Sequence, residues 1–160
     1  MSVKVIFLNI DGVLNTPAST SRCSIPEEKR EIIGIDSSKL KKLKKIIADT
    51  GAIIVLTSSW KYGWERFKKD KQKSQANYMD RKFDKYGLRI YDKTPDSDSK
   101  GIKEWLQNNF DKDEKVNWIV IDDEINDFDN DIISHVVFTK ATKGLEKVDL
   151  AIELLNEGDE

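Results

Sequence analysis

Short apolar runs recur along the chain and are separated by longer amphipathic stretches. Four of these runs are rich in β-branched residues, which predicts strands that are buried on both faces. They cover residues 3–10, 52–56, 118–121 and 136–138. Residues 88–91 are a shorter strand candidate. The pattern therefore predicts a central sheet of about five strands.

Helical periodicity predicts a helix in four of the intervening stretches. The first begins after a cap residue, Asp36, and ends at Gly51. The others cover residues 64–86, 99–110 and 148–155. The first helix also carries five lysines that we expect on a solvated face: Lys39, Lys41, Lys42, Lys44 and Lys45.

The alternation of strands and helices indicates an α/β fold in which helices cover both faces of a parallel sheet. The fold class is thus a three-layer, Rossmann-like arrangement. A length of 160 residues fits one domain over residues 1–160. Residues 16–34 are polar and predict an irregular loop or flap.

Polar side chains follow three of the predicted buried strands. These clusters are residues 9–12, 57–59 and 122–123. In an open α/β sheet, ligands bind at the carboxyl ends of the strands. Carboxylates that meet there without a cation would repel each other, so the clusters indicate a binding site rather than a structural feature.

The residue types in these clusters suit a hard divalent cation and a phosphate. Asp11 and either Asp122 or Asp123 are candidate ligands for Mg²⁺, which prefers oxygen. Thr57 can donate to a phosphate oxygen, and Lys100 can balance the negative charge. Phosphoryl transfer requires this kind of neutralisation.

Four segments, in this order, resemble the motifs of haloacid dehalogenase (HAD) superfamily phosphatases. Residues 5–15 contain Asn-Ile-Asp-Gly where the family has Asp-x-Asp-Gly, and residues 54–60 form a strand that ends in Thr. Residues 100–102 provide a lysine at a helix start, and residues 119–127 provide an acidic pair with another carboxylate four positions on. The resemblance extends over residues 3–155.

The resemblance implies a role for each matching residue. Position 9 corresponds to the nucleophile that becomes phosphorylated, and Asp11 to the general acid and base. Thr57 and Lys100 correspond to the phosphate-holding hydroxyl and the charge-balancing lysine. The implied phosphate-binding residues are Gly12, Thr57, Ser58 and Lys100, and the implied Mg²⁺ ligands are Asn9, Asp11, Asp122, Asp123 and Asp127.

The nucleophile position departs from the family because it holds Asn9. A carboxamide is a poor nucleophile, whereas its oxygen can ligate a metal and its NH₂ group can donate to a phosphate. The chain as written is therefore expected to bind Mg²⁺ and phosphate with little turnover. Two interpretations stay open, namely a phosphatase disabled or made substrate-trapping at this position, and a natural pseudophosphatase that binds a phosphorylated ligand. A response-regulator receiver domain fits less well, because its acidic pair follows the first strand.

Neither inter-motif segment is long enough for a large cap domain, so we expect an open site. A nucleotide or a nucleic-acid end is therefore a possible substrate, besides a small phosphate ester. Residues 61–89 contain ten Lys/Arg and four Asp/Glu, whereas residues 92–131 contain five Lys/Arg and thirteen Asp/Glu. The basic segment is a candidate track for a phosphate backbone, with nearby aromatics that could stack a base: Trp60, Tyr62, Trp64 and Tyr78. The segment from Val136 to Leu145 also resembles HAD domains of RNA-repair proteins.

The remaining features set the expected environment. The net charge is −2, and the single cysteine, Cys23, excludes an internal disulfide and suits a reducing compartment. The N-terminal residues lack the pattern of a signal peptide, and no apolar run is long enough to span a bilayer. We therefore expect a cytoplasmic monomer without a membrane partner.

Overall fold

A computed structural model describes residues 2–17, 34–95, 98–124 and 128–159. The described residues contain a parallel sheet of five strands in the order β3-β2-β1-β4-β5. The strands are β1 (Val3–Leu8), β2 (Ile53–Leu56), β3 (Ile90–Lys93), β4 (Val116–Asp122) and β5 (Val136–Phe138). Because all strand pairs are parallel, every strand has its carboxyl end at the same edge of the sheet.

Helices connect the strands and cover the sheet. They are α1 (Ser37–Thr50), α2 (Ser74–Asp84), α3 (Asp98–Asn109), α4 (Asn130–Ile133) and α5 (Val148–Leu155). The side chain of Asp36 accepts from the Ser38 amide at the start of α1. Gly51 ends α1 in the left-handed conformation, with φ of 72°, which glycine adopts at little cost.

The sheet has an apolar core on each face, which explains the continuous apolar runs. In β1, Ile6 and Leu8 belong to one core, whereas Val5 and Phe7 belong to the other. The first core packs against α1, α2 and α5, and the second packs against α3 and α4. This confirms the predicted three-layer α/β fold, and no large cap domain occurs in the described ranges.

Two predictions about secondary structure and exposure are wrong. The helix predicted over residues 64–86 is α-helical only over Ser74–Asp84. A 3₁₀ turn, Ser59–Gly63, lies before the predicted range, and residues 64–73 form a loop with a second short 3₁₀ turn, Lys69–Lys71. The side chain of Gln72 accepts from the Glu65 amide and thereby holds an irregular loop in place of the first helical turns. Lys39 is buried rather than solvated, and this burial lowers its pKa.

None of the helices in the described part of the chain has the length and apolar character that a membrane crossing requires.

Candidate active site

The candidate site lies at the carboxyl edge of the sheet, where backbone hydrogen bonds continue past the strand ends. The Asn9 amide donates to the Ile121 carbonyl over 3.1 Å, and the Thr57 amide donates to the Leu8 carbonyl over 2.9 Å. The chain thus places Asn9 between the end of β2, with Thr57, and the end of β4, with the acidic pair. The structure brings together the three strand-end clusters that the sequence singled out.

The carboxamide of Asn9 contacts both carboxylates of the acidic pair. Its Nδ2 lies 3.3 Å from Oδ1 of Asp122 and 3.2 Å from Oδ1 of Asp123. The same nitrogen donates to the Asp11 carbonyl over 2.9 Å. The amide hydrogens therefore supply positive charge at the point between the two carboxylates.

The acidic pair places two half-buried carboxylates side by side. Burial raises the pKa of Asp122 to about 7, and the neighbouring Asp123 adds to the rise. The Glu124 amide donates to Asp122 over 3.0 Å and opposes this shift. A cation bound here would relieve both the desolvation and the repulsion.

The carboxylate of Asp11 is held by two neutral donors. Nδ2 of Asn15 and Nε1 of Trp60 lie 2.8 Å and 3.1 Å from the same oxygen, Oδ1. Asn15 is itself fixed because its Oδ1 accepts from the Gly12 amide over 3.0 Å. Asp11 is exposed at this edge of the sheet.

Thr57 has a buried hydroxyl whose Oγ1 makes no hydrogen bond with any described residue. Buried polar atoms in proteins nearly always have a partner, so an orphaned hydroxyl at a strand end indicates a missing ligand atom. The next residue, Ser58, is buried, and its Oγ accepts from the Trp60 amide over 3.2 Å. Its hydroxyl therefore serves the local turn.

Gly12 lies directly beside the acidic pair and has a positive φ of 78°. A Cβ atom at this position would overlap the carboxylate of Asp123. The hydroxyl of Thr139, which follows β5, donates to the Gly12 carbonyl over 2.7 Å. Glycine is thus required here both by conformation and by the close approach of Asp123.

Lys100 and Asp127 are the two remaining predicted site residues, and their roles stay predictions. Lys100 is exposed in the first turn of α3 and lines a shallow hollow with Lys103 and Asp129. Asp127 lies outside the described residues. Within the described ranges, no three His, Cys, Asp or Glu side chains come together as a ready metal site.

Sequence reasoning missed three residues that fix the site. Asn15 and Trp60 hold Asp11, and Thr139 holds the Gly12 carbonyl. Asn15 lies four residues after Asp11 in the same motif, which was a usable signal. No local pattern pointed to Trp60 or Thr139, because their contacts depend on the sheet order.

Comparison with known proteins agrees with this geometry. A family model described as the HAD domain in Swiss Army Knife RNA repair proteins matches residues 5–150. The chain belongs to this HAD family. Members of its superfamily are generally phosphatase-like hydrolases, and the predicted superfamily and the narrower resemblance to RNA-repair HAD domains are both confirmed. No curated protein matches the chain significantly.

Proposed function

We propose that this HAD domain carries a Mg²⁺-dependent phosphomonoesterase site that Asn9 disables at the nucleophile position. The observation that carries the proposal is the contact of Asn9 with both Asp122 and Asp123. The residue at position 9 lies where a carboxylate would share a cation with that pair. The orphaned hydroxyl of Thr57 on the adjacent strand supports a phosphate at the same edge.

The donor set fits Mg²⁺. Carboxylate and carboxamide oxygens are ligands that Mg²⁺ accepts, and the ion would provide a counter-charge for the neighbouring carboxylates of Asp122 and Asp123. Asp122, Asp123 and the residue at position 9 would hold the ion, with Asp127 as a further candidate ligand. When bound, Mg²⁺ would neutralise charge on the phosphoryl oxygens.

With a carboxylate at position 9, the chain's own residues support a two-step reaction. The carboxylate oxygen attacks phosphorus, and the ester P–O bond breaks while Asp11 gives its proton to the leaving oxygen. Water then attacks the acyl phosphate, and Asp11 takes the proton of that water. This step restores the carboxylate and releases inorganic phosphate, while Thr57 holds a phosphoryl oxygen and Lys100 would balance charge.

With Asn9 the first step lacks its nucleophile, so the chain binds the phosphorylated ligand and does not turn it over. A natural pseudophosphatase is the second candidate function. The observation in its favour is that the Asn9 carboxamide donates to both carboxylates of the acidic pair. Each carboxylate therefore has a hydrogen-bond donor that does not depend on a bound cation. Both functions predict ligand binding, and they differ in the behaviour of Asn9→Asp.

The test is phosphate release from nucleotides, 3′- and 5′-phosphorylated oligonucleotides and small esters, with Mg²⁺. The chain as written and its Asn9→Asp variant are measured side by side. Activity in Asn9→Asp alone supports a disabled phosphatase, and the preferred substrate defines the class. A folded but inactive Asn9→Asp variant would contradict the phosphatase proposal, and ligand binding by both forms would then favour the pseudophosphatase.

A further inference from the structure

Three large aromatic side chains are exposed near one edge of the sheet. Tyr62 is 75% exposed, Phe67 is 83% exposed and Tyr91 is 41% exposed. Tyr91 belongs to β3, the edge strand, and the other two lie in the loop between β2 and α2. Trp60 and Trp64, from the same loop, are buried in the core, so the exposure of the other rings is not a general property of this segment.

An arginine is stacked against two of these rings. The guanidinium carbon of Arg66 lies 4.9 Å from the ring centre of Phe67 and 4.2 Å from that of Tyr91. The guanidinium also lies 3.5 Å from the carboxylate of Asp92, which restrains it. Planar rings beside a fixed guanidinium form a platform on which a nucleobase can stack.

Two hollows adjoin this platform. One, of about 380 Å³, is lined by residues that include Arg66, Phe67, Arg89 and Tyr91. The other, of about 400 Å³, is lined by residues that include Tyr62, Asp92 and Lys93. The first hollow is also lined by α2 and the second by α3, so the two lie on either side of β3, and Arg66 of the first contacts Asp92 of the second. We call the set Tyr62, Arg66, Phe67, Arg89, Tyr91 and Lys93 the edge surface.

The charge of the edge surface complements a polyanion. Five Lys or Arg and three Asp side chains line the two hollows. Of the basic groups, Lys93 donates to two backbone carbonyls and Lys61 is buried, whereas Arg89 is exposed. Of those acids, Asp80 already accepts from Trp64, Lys69 and Gln72, and Asp92 accepts from Trp105 and Arg66. The surrounding segment, residues 61–89, has an excess of six positive charges. A phosphate backbone would be attracted to this surface.

The edge surface leads towards the candidate active site. β3 is separated from β1 by one strand, so its carboxyl end lies roughly 10 Å from Asn9 at about 4.8 Å per strand spacing. Lys93 ends β3, and the next residue, Thr94, donates its amide to the Leu56 carbonyl, directly before Thr57. A strand bound along the surface can thus place its end at the site.

We propose that the edge surface binds single-stranded nucleic acid and presents its phosphorylated end to the site at Asn9. The presentation of the end rests on the proposed phosphatase function, whereas the binding does not. Bases stack on Phe67, Tyr91 and Tyr62, and the exposed Arg89 provides positive charge for the backbone. This replaces the sequence-based expectation of stacking on Trp60, Trp64 and Tyr78, which is wrong because these three side chains are buried.

The test is fluorescence anisotropy with labelled single-stranded RNA and DNA of one sequence that lack a terminal phosphate. Phe67→Ala and Tyr62→Ala are compared with Leu150→Ala, an exposed apolar residue on α5. Each aromatic variant is expected to bind at least fivefold more weakly, which corresponds to the lower limit of about 1 kcal/mol for a base stack. Leu150→Ala is expected to bind like the parent chain.

The charge contribution is tested with Arg89→Ala against Lys45→Ala, an exposed lysine on α1. The first change is expected to reduce the slope of log affinity against log salt by about one, and the second is expected to leave it unchanged. The preference between RNA and DNA identifies the sugar that the surface accepts.

Absence of binding at low salt overturns the proposal, and so does equal binding by the aromatic variants and Leu150→Ala. Because the probes carry no terminal phosphate, these results are independent of turnover. An inactive Asn9→Asp variant with intact aromatic-dependent binding would contradict only the phosphatase function. An active Asn9→Asp variant without such binding would contradict only the edge surface.

Discussion

The indole nitrogen of Trp60 donates to the carboxylate of Asp11 over 3.1 Å, although the two residues lie on different strand-end loops. Asn15 donates to the same oxygen over 2.8 Å. Two donors on one oxygen restrain the carboxylate of this exposed residue. In the proposed reaction, Trp60 and Asn15 act as positioning residues for the general acid.

This relationship predicts a leaving-group effect. In the Asn9→Asp background, Trp60→Phe keeps the ring but removes the N–H donor, so Asp11 is held less well. We expect kcat for an alkyl phosphate, whose leaving oxygen needs the proton, to fall about tenfold or more. For an aryl phosphate with a weakly basic leaving group, kcat should change little. Equal losses on both esters would indicate a purely structural role for Trp60.

A second prediction concerns the cation. Asn9→Asp removes the amide donor from Asp122 and Asp123 and adds a third carboxylate. In EDTA the variant should be less stable than the chain as written by about 1–3 kcal/mol, and Mg²⁺ should restore most of the loss. Urea unfolding with EDTA and with Mg²⁺ measures the loss of unfolding free energy and its recovery when the ion binds. A variant that is indifferent to Mg²⁺ would argue against a metal site at these carboxylates.

A third prediction separates binding from stability at Thr57. Its hydroxyl is buried and orphaned among the described residues, so Thr57→Val should leave the free energy of unfolding unchanged or raise it by up to about 1 kcal/mol. Thr139→Val is the matched control. It deletes a buried hydrogen bond to Gly12 and should cost about 1 kcal/mol.

The affinity of Thr57→Val and of Thr139→Val for inorganic phosphate is then measured by calorimetry. Thr57→Val should weaken phosphate binding, because the hydroxyl is proposed to hold a phosphate oxygen. If Thr57→Val instead destabilises the fold as much as Thr139→Val and binds phosphate normally, then Thr57 is a structural residue.

A fourth prediction concerns pH in the metal-free protein. The ordinary pKa of the Asp122 carboxyl is 3.8, and burial raises it to about 7 in the fold. Between these values the folded state binds more protons than the unfolded state, so the free energy of unfolding falls as pH rises from about 4 to about 7. The free energy of unfolding, measured in EDTA from about pH 4 to about pH 7, should fall with rising pH in the parent chain. It should fall in the same way in Asp113→Asn, a control at an exposed residue. Asp122→Asn should lack that contribution, and an unchanged slope would contradict the assignment.

Much of the fold could be predicted from the sequence, because buried parallel strands leave a continuous apolar signal. The last helix, residues 148–155, has the predicted bounds, and the first begins after its predicted cap, Asp36. The error over residues 64–73 arose because the side chain of Gln72 holds an irregular loop by hydrogen bonds to residues five to eight positions away. Helical periodicity does not report such contacts.

The strand-end residues of the candidate site could be predicted from the sequence, whereas the residues that hydrogen-bond to them could not. Asn9, Asp11 and Thr57 follow buried strands, and parallel strands bring their carboxyl ends together. The partnership of Asp11 with Trp60 depends on side-chain direction across two loops. The sequence likewise did not predict which aromatic side chains are exposed. Tyr62 and Trp60 are two residues apart, and of these two only Tyr62 faces solvent.

The most direct test of the central claim is phosphate release by Asn9→Asp from its best substrate, with Mg²⁺ and with EDTA. The Asn9→Asp, Asp11→Asn double variant is the control. We expect Mg²⁺-dependent release by Asn9→Asp, release at least 100-fold slower by the double variant, and none above background by the parent chain with Asn9. A folded Asn9→Asp variant that releases no more phosphate than the parent chain would contradict the proposed phosphatase site.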